Sequence, residues 1–384
     1  MIPKAIFEET LLQFFEPIRP FLEDASVSEI MVNGPNQIYI ERKGNLVLTE
    51  AKFENDEALL SALRNVAQFV GKSLDETRPI LEGRLPDGSR IEAVIPPAAP
   101  EGACLAIRRF FKETLTIERL IGFGAMPQDA AQSLHAMVHS KLNVLVAGGT
   151  GSGKTSMLNA LSSFIPDGER VVVIEDSREL QLQRAHVVQL EARPGDTKGR
   201  GIVSIRDLFR ATLRLRPDRI VVGEIRGGEA LDLIQAMTSG HGGCMATLHA
   251  TYPRDTLARL ETMAMMSDIE MPLHAMRVQL ASAVNAIVQV SRLHDGSRKI
   301  THISEVCGYD AVTGTYDVRD VFAREYKGQD ANGQIQSDLL PTGHSPTFLS
   351  QLHEHGVDLP KTVHDAIKRS GGKPAGISGS SGGH

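Results

Sequence analysis

An α/β fold is predicted for the larger part of this chain, with a parallel sheet covered by helices on both faces, and a smaller α+β domain precedes it. Three observations predict this. Short, almost continuous apolar runs at 144–146, 171–174 and 220–222 alternate with helical stretches, and strands apolar on both faces belong to sheets buried on both faces. A glycine-rich loop, Gly148 to Thr155, stands between the first of these strands and a helix. The first ~110 residues instead carry tight-turn signals between short strand-like segments, with one helical stretch among them.

Taken in order, the first domain is expected over 1–110. Gln37 to Glu41 and Asn45 to Leu48 flank Lys43-Gly44, a hairpin signal. From Asp56 to Val70, residues Leu59, Leu60, Leu63, Val66 and Phe69 recur at helical spacing. Asp87-Gly88 marks a second tight turn. The strand after it, Arg90 to Ile95, stops at Pro96-Pro97, where the chain can donate no ladder hydrogen bond. Cys104 to Phe110 reads as the last strand. Residues 111–116 read as a linker and 117–325 as the second domain, with a helix over 130–142 before the strand 143–147. A small helical extension is expected over 326–370. The tail 371–384, rich in Gly and Ser, is expected to be disordered.

Composition narrows the function. Lys+Arg is 41 and Asp+Glu is 47 in 384 residues, a net charge of −6. A nucleic-acid coat or a polybasic membrane binder needs the opposite sign, so nucleic acid is not an expected partner. No apolar run reaches the ~18–20 residues that span a bilayer, and Met1 to Glu8 lacks the apolar core of a secretory signal. Cys104, Cys244 and Cys307 are far apart and form no CxxC. That excludes a disulfide framework and a four-Cys zinc module and fits a reducing cytoplasm.

The strongest motif is Gly148-Gly149-Thr150-Gly151-Ser152-Gly153-Lys154-Thr155, a full GxxxxGK[ST]. Glycines let backbone N–H groups turn inward onto phosphate oxygens, and the following helix, beginning near Ser156, adds its positive end. Lys154 is expected to reach the β- and γ-phosphates and Thr155 to hold Mg²⁺. A dinucleotide fingerprint fails, because the sixth position counted from Gly149 is Lys154.

Acidic residues then end two of the apolar runs. Glu175-Asp176 follow 171–174, at the strand end where ligands of parallel sheets bind; they are candidates to face the metal, with helix capping by Asp176 as the plainer role. Glu224 ends Ile220-Val221-Val222-Gly223 and can orient a water and accept its proton, or hold the metal. His241 and His249 flank a glycine-rich stretch, and His249, after Ala246-Thr247-Leu248, is a candidate sensor of the γ-phosphate. Zinc ligation lacks a third ligand at zinc spacing. Arg90 and Arg108, on strands of the first domain, and Arg109 beside them are candidates to neutralise charge on the transferred phosphoryl group, against an ordinary solvated role.

Four blocks now stand in one order: the Walker A loop 148–155, Ile174-Glu175-Asp176, the Walker B segment Val222-Gly223-Glu224-Ile225-Arg226, and a histidine block from Gly240-His241 to Thr247-Leu248-His249. In this the chain resembles the ATPases of type II and type IV secretion and type IV pili. Stretches 28–46, 84–97, 159–170, 216–237 and 253–263 resemble the CpaF/TadA ATPases of the tight-adherence (Tad) pilus, and the similarity spans roughly 25–325. The resemblance implies a PAS-like α+β N-terminal domain, a RecA-like P-loop NTPase C-terminal domain and a hexameric ring. It also implies ATP and Mg²⁺ as ligands, and a membrane platform protein as partner. By it Glu175 polarises the metal shell, Glu224 activates water, His241 and His249 read the γ-phosphate, and Arg90, Arg108 and Arg109 complete the site. A conjugative or retraction ATPase would share every motif, and a nucleotide-switched scaffold without turnover is the alternative of another class.

Overall fold

The computed structural model describes residues 13–42, 44–110, 115–195 and 200–371. The chain divides into two compact units, Met1–Glu113 and Thr114–His384. The expected tail from 372 onward, residues 111–114 of the expected linker and Lys43 of the first turn lie outside the described residues.

In the first unit, a short helix α1 (Arg19–Glu23) leads into β1 (Val27–Asn33), β2 (Gln37–Arg42) and β3 (Asn45–Leu48). Helix α2 (Asp56–Phe69) follows, then β4 (Ile80–Arg84), β5 (Arg90–Val94) and β6 (Cys104–Arg108). The six strands form one sheet in the order β3-β2-β1-β6-β5-β4, antiparallel throughout. A first strand in the centre, flanked by the second and the last, gives the PAS-like domain that the resemblance implies. Period-2 alternation puts Ile30, Ile40, Ile91 and Ile107 in one buried row across the sheet. Leu59, Leu63 and Val66 of α2 belong to the same core. The helix starts where it does because Asn55 accepts the N–H of Ala58 at 2.9 Å, and Asp56 and Glu57 meet the positive end of its dipole. The opposite, open face carries a different row: Arg84, Arg90 and Arg108 stand directly beside one another, followed by Glu29.

The second unit opens with α3 (Ile117–Gly122) and α4 (Gln128–His139), then β7 (Val144–Gly148), α5 (Lys154–Ser162), β8 (Val171–Glu175) and β9 (Val187–Glu191). A small ladder of β10 (Arg193–Pro194) and β11 (Ile202–Val203) precedes α6 (Ile205–Thr212), β12 (Arg219–Val222), α7 (Glu229–Thr238) and β13 (Met245–Leu248). Helices α8 (Pro253–Ala264) and α9 (Leu273–Ala283) lead to β14 (Ala286–Arg292), β15 (Arg298–Asp310), β16 (Thr315–Gln329) and β17 (Ile335–Pro341), and α10 (Leu349–Glu354) and α11 (Lys361–Arg369) close the described chain. The nine-stranded sheet runs β17-β16-β15-β14-β7-β13-β12-β8-β9. Strands β14, β7, β13, β12, β8 and β9 are mutually parallel; this is the RecA-like sheet, and its strands β7, β8 and β12 are buried along their whole length. Two clusters cover its faces, one including Val144, Val146 and α4, the other Leu145, Ala147 and helices α7 to α9.

The C-terminal part departs from the expectation. The sheet does not stop near 325: β16 runs on to Gln329 and β17 adds another antiparallel strand. The turn at Asn332-Gly333, with Gly333 at φ +77°, returns the chain as a hairpin. Helices begin only at Leu349. Phe348, Leu352, Leu359 and Val363 belong to the same buried cluster as Val144 and Val146, so 342–369 packs into this unit's core rather than standing off as an appendage.

Candidate functional site

The sheet order decides which side chains meet. Moving outward from β7, the neighbours are β13, β12 and β8. All four are parallel, so their C-terminal ends lie along one edge, and there they release in turn the phosphate loop, His249, Glu224 and Glu175-Asp176.

The loop's glycines are required by space and by backbone. A Cβ on Gly148 would lie 2.3 Å from the Val290 carbonyl oxygen and 2.5 Å from Ser152 Oγ. Gly151 and Gly153 adopt φ of +69° and +94°, a region that favours glycine. The Ser152 hydroxyl donates to the Gly149 carbonyl at 2.8 Å, which ties the loop across itself. Gly149 and Thr150 are exposed at the loop's outer turn, and Thr155 and Ser156 lie half-buried in the first turn of α5.

Lys154 is buried at the first position of α5. Its ammonium donates to the Gly149 carbonyl at 3.0 Å and lies 3.3 Å from His249 Nδ1. His249 Nε2 is 2.8 Å from Glu224 Oε1. Burial, reinforced by the Lys154 charge, holds the His249 pKa below its ordinary value against the pull of Glu224. A neutral ring fits both contacts if Nδ1 accepts from Lys154 and Nε2–H donates to Glu224; this tautomer is assigned from those partners. The other carboxylate oxygen of Glu224 accepts from Arg226 Nε at 2.8 Å and Nη2 at 2.6 Å, and Arg226 Nη1 reaches Asp176 at 3.0 Å. Five charged or titratable groups from four adjacent elements thus form one chain: Lys154, His249, Glu224, Arg226, Asp176.

Glu175 stands beside this chain under different terms. It is 2% exposed. Its Oε1 accepts the backbone N–H groups of Glu179 and Leu180, both at 2.9 Å, while Oε2 is buried and makes no hydrogen bond. Burial outweighs those two hydrogen bonds and raises its pKa to about 7. Gly223 makes the pocket: a Cβ there would lie 2.8 Å from Glu175 Cγ.

One expected residue of this unit goes elsewhere. His241 lies in the turn between α7 and β13, at the N-terminal end of β13, whereas His249 follows the C-terminal end. Four residues of strand, about 13 Å at strand rise, separate that edge from the phosphate loop, so the structure does not bring His241 to the site. Arg109 donates to the carbonyls of Phe21 and Asp24 at 3.0 and 2.6 Å and so fastens the N-terminal helical turn to the sheet of the first unit. Arg90 and Arg108 stay on the open face described above, with Arg108 Nε 3.6 Å from a Glu29 carboxylate oxygen. Sequence reasoning missed Arg298, whose Nε donates to the Gly151 carbonyl at 2.9 Å and braces the phosphate loop from the β14–β15 hairpin. The Asp295-Gly296 dipeptide is a turn signal by which that hairpin could have been found.

A Walker loop at the C-terminal edge of a RecA-like parallel sheet, with carboxylates on the two strands beyond its neighbour, defines a P-loop NTPase fold. The type II/IV secretion system protein family model matches residues 12–332. A Mycobacterium tuberculosis H37Rv protein that carries a conjugal-transfer name is 34% identical over 293 residues, 75% of this chain and 83% of its own length. The type IV secretion system protein PtlH of Bordetella pertussis is 35% identical over 303 residues, 72% of this chain and 89% of its own. Among solved structures, the Legionella pneumophila ATPase DotB superposes with a TM-score of 0.54 at 19% identity, covering 75% of this chain and 79% of that one, and shares the fold. The chain belongs to the type II/IV secretion system protein family.

Proposed function

We propose that this chain is an ATP-hydrolysing motor that powers assembly or retraction of a Tad or related type IV-like pilus. In this reading it works as a homohexamer at the cytoplasmic face of the inner membrane, on a platform protein held there. The observation that carries the reading is the linked chain Lys154–His249–Glu224 beside the phosphate loop. In it Lys154 already faces the loop, and Glu224 keeps a carboxylate at the position of a general base. No helix among the described residues is long and apolar enough to cross a membrane, so the membrane association is assigned to the partner.

The steps follow from what each group gives up. A γ-phosphate near Lys154 offers its ammonium a stronger acceptor than the Gly149 carbonyl and the His249 ring. Lys154 then neutralises phosphate charge, and His249 Nδ1, no longer held as an acceptor by Lys154, takes up a proton to donate to the new anion while Nε2–H still fixes Glu224. Glu224 orients the attacking water and takes its proton. The Mg²⁺ that such nucleotides bring would screen charge on the phosphates. Thr155 and Glu175 are the residues to hold it, because the unbonded Glu175 Oε2 is a buried acceptor with no donor of its own. Arg90 and Arg108 of the first unit are proposed, by the resemblance, to neutralise charge on the nucleotide's phosphates.

A second reading, a conjugal-transfer or type IV secretion ATPase, is favoured by the names of the relatives at 34–35% identity. Deleting the gene separates the two: loss of a pilus supports the first, and loss of DNA or protein transfer with the pilus intact supports the second. The shared core is tested by turnover of the purified chain at saturating ATP and Mg²⁺. Steady phosphate release supports a motor. Tight ATP binding with no release would replace it with a nucleotide-switched scaffold.

A further inference from the structure

Far from the phosphate loop, three side chains of different chemistry converge where the C-terminal segment meets the sheet. Glu305 and Cys307 are two residues apart on β15, where an irregularity between Val306 and Gly308 breaks the regular pairing with β16. His344 follows β17. Glu305 and His344 are 1% and 3% exposed. One carboxylate oxygen of Glu305, Cys307 Sγ and a ring nitrogen of His344 all lie within 4.8 Å of one another. The nucleotide chemistry uses none of them.

The two oxygens of Glu305 have separate tasks. Oε1 accepts the backbone N–H of Thr347 at 2.8 Å and its hydroxyl at 2.5 Å, which fixes the carboxylate plane. Oε2 points the other way, 2.6 Å from His344 Nε2 and 3.5 Å from Cys307 Sγ. We propose that Glu305 Oε2, Cys307 Sγ and His344 Nε2 bind a zinc-class divalent cation, which clamps the C-terminal segment onto the sheet.

The donor set selects the ion. Thiolate, imidazole and carboxylate together suit Zn²⁺, at about 2.0–2.3 Å from each ligand; a soft sulfur and an imidazole exclude Mg²⁺ and Ca²⁺, which take oxygen. Ligands at those distances stand roughly 3.3–3.8 Å apart around a tetrahedral ion. The oxygen–sulfur separation is already in that range, and the oxygen–nitrogen contact needs to widen by less than about 1 Å as the ion takes the place of the shared hydrogen. Thr347 supplies the outer hydrogen bonds that orient a ligating carboxylate. Coordination takes the thiolate and a bare Nε2, so the thiol proton and the hydrogen that Nε2 shares with Glu305 leave to solvent as the bonds to the metal form, the neutral ring holds its one proton on Nδ1, and thiolate plus carboxylate balance the double charge. Among the described residues three protein ligands are present, which leaves one position for water. The 37-residue gap between Cys307 and His344 explains why no spacing motif showed the site.

The test uses the full chain, freed of metal and titrated with Co²⁺, then with Zn²⁺. The expected result is about one equivalent of Co²⁺ per chain, a thiolate-to-cobalt charge-transfer band, displacement by Zn²⁺ and none by excess Mg²⁺. Cys307→Ser should abolish the band, His344→Gln should weaken binding by at least about tenfold, and Cys244→Ser should keep both. Zn²⁺ should also raise the thermal midpoint of the wild type and of neither site variant, which separates lost metal binding from lost folding. Absence of a stoichiometric ion, or Cys307→Ser and His344→Gln binding like the wild type, would overturn the assignment.

Discussion

The two edges of the parallel sheet both carry charge, and they handle it differently. At the N-terminal edge Arg219 is among the largest fully buried side chains, and each of its three nitrogens has a partner within the protein: Nη1 to the Val138 carbonyl at 2.8 Å, Nη2 to the His139 carbonyl at 3.3 Å, and Nε to Glu169. Gly243 leaves the space it occupies, since a Cβ there would lie 2.3 Å from Nη1. At the C-terminal edge the charges lean on one another, Lys154 on a ring nitrogen and a carbonyl, Glu224 on His249 and Arg226, and Glu175 keeps one oxygen unbonded. Complete satisfaction marks a structural charge. A missing partner, as at Glu175 Oε2, marks a group held ready for a ligand that supplies one.

The contrast can be broken by substitutions on either edge. Lys154→Ala should have the largest effect: nucleotide binding is lost and turnover falls by about 10³-fold or more, the upper end for a lost charge-stabilising donor. Retained ATP affinity, measured by displacement of a fluorescent nucleotide, would remove Lys154 from the phosphate site. On the other edge, Arg219→Leu should destabilise the fold by about 3 kcal/mol, since it removes the buried partner of Glu169 and the guanidinium donors to two carbonyls. Its turnover per folded molecule should stay near wild type, and a kinetic defect at full folding would erase the distinction drawn between the edges.

A pH titration sharpens the comparison further. Folding raises the Glu175 pKa from 4.5 to about 7, so the native state favours the protonated acid. That contribution is complete at low pH and is lost progressively as pH rises from 4.5 towards about 7. Wild type should therefore lose stability across that window relative to Glu175→Gln, in the absence of nucleotide and metal. Parallel stability curves for the two proteins would contradict it. The smallest effect belongs to His241→Ala. It sits at the structural edge and should leave turnover within about twofold, whereas His249→Ala, which removes the link between Lys154 and Glu224, should cost about tenfold or more. Equal losses from both would return His241 to the site.

What was legible in the sequence was local. The phosphate loop is eight contiguous residues between a strand and a helix, and each carboxylate could be placed because it ends an apolar run. His241 and His249 flank one glycine-rich stretch, and although the residues themselves favoured His249, the resemblance gave both the same role. The strand between them, Met245 to Leu248, carries the chain from one edge of the sheet to the other, and a motif does not record which edge a residue occupies. The hairpin of β16 and β17 was missed because its strands are largely exposed and polar, with no apolar run to mark them, although Asn332-Gly333 is a turn signal. Arg298 and the cluster of Glu305, Cys307 and His344 depend on pairings across the sheet and with the C-terminal segment, and no spacing rule reaches them.

The central claim is that Glu224 activates water at a site whose grip on the nucleotide comes from Lys154 and the loop. Nucleotide binding and turnover of Glu224→Gln, measured on one preparation with Mg²⁺ present, test it most directly. The expected result is ATP affinity close to wild type with turnover lower by about 10²-fold or more. Turnover near the wild-type rate would contradict it, because the proton of the attacking water would then leave by a route that does not involve this carboxylate.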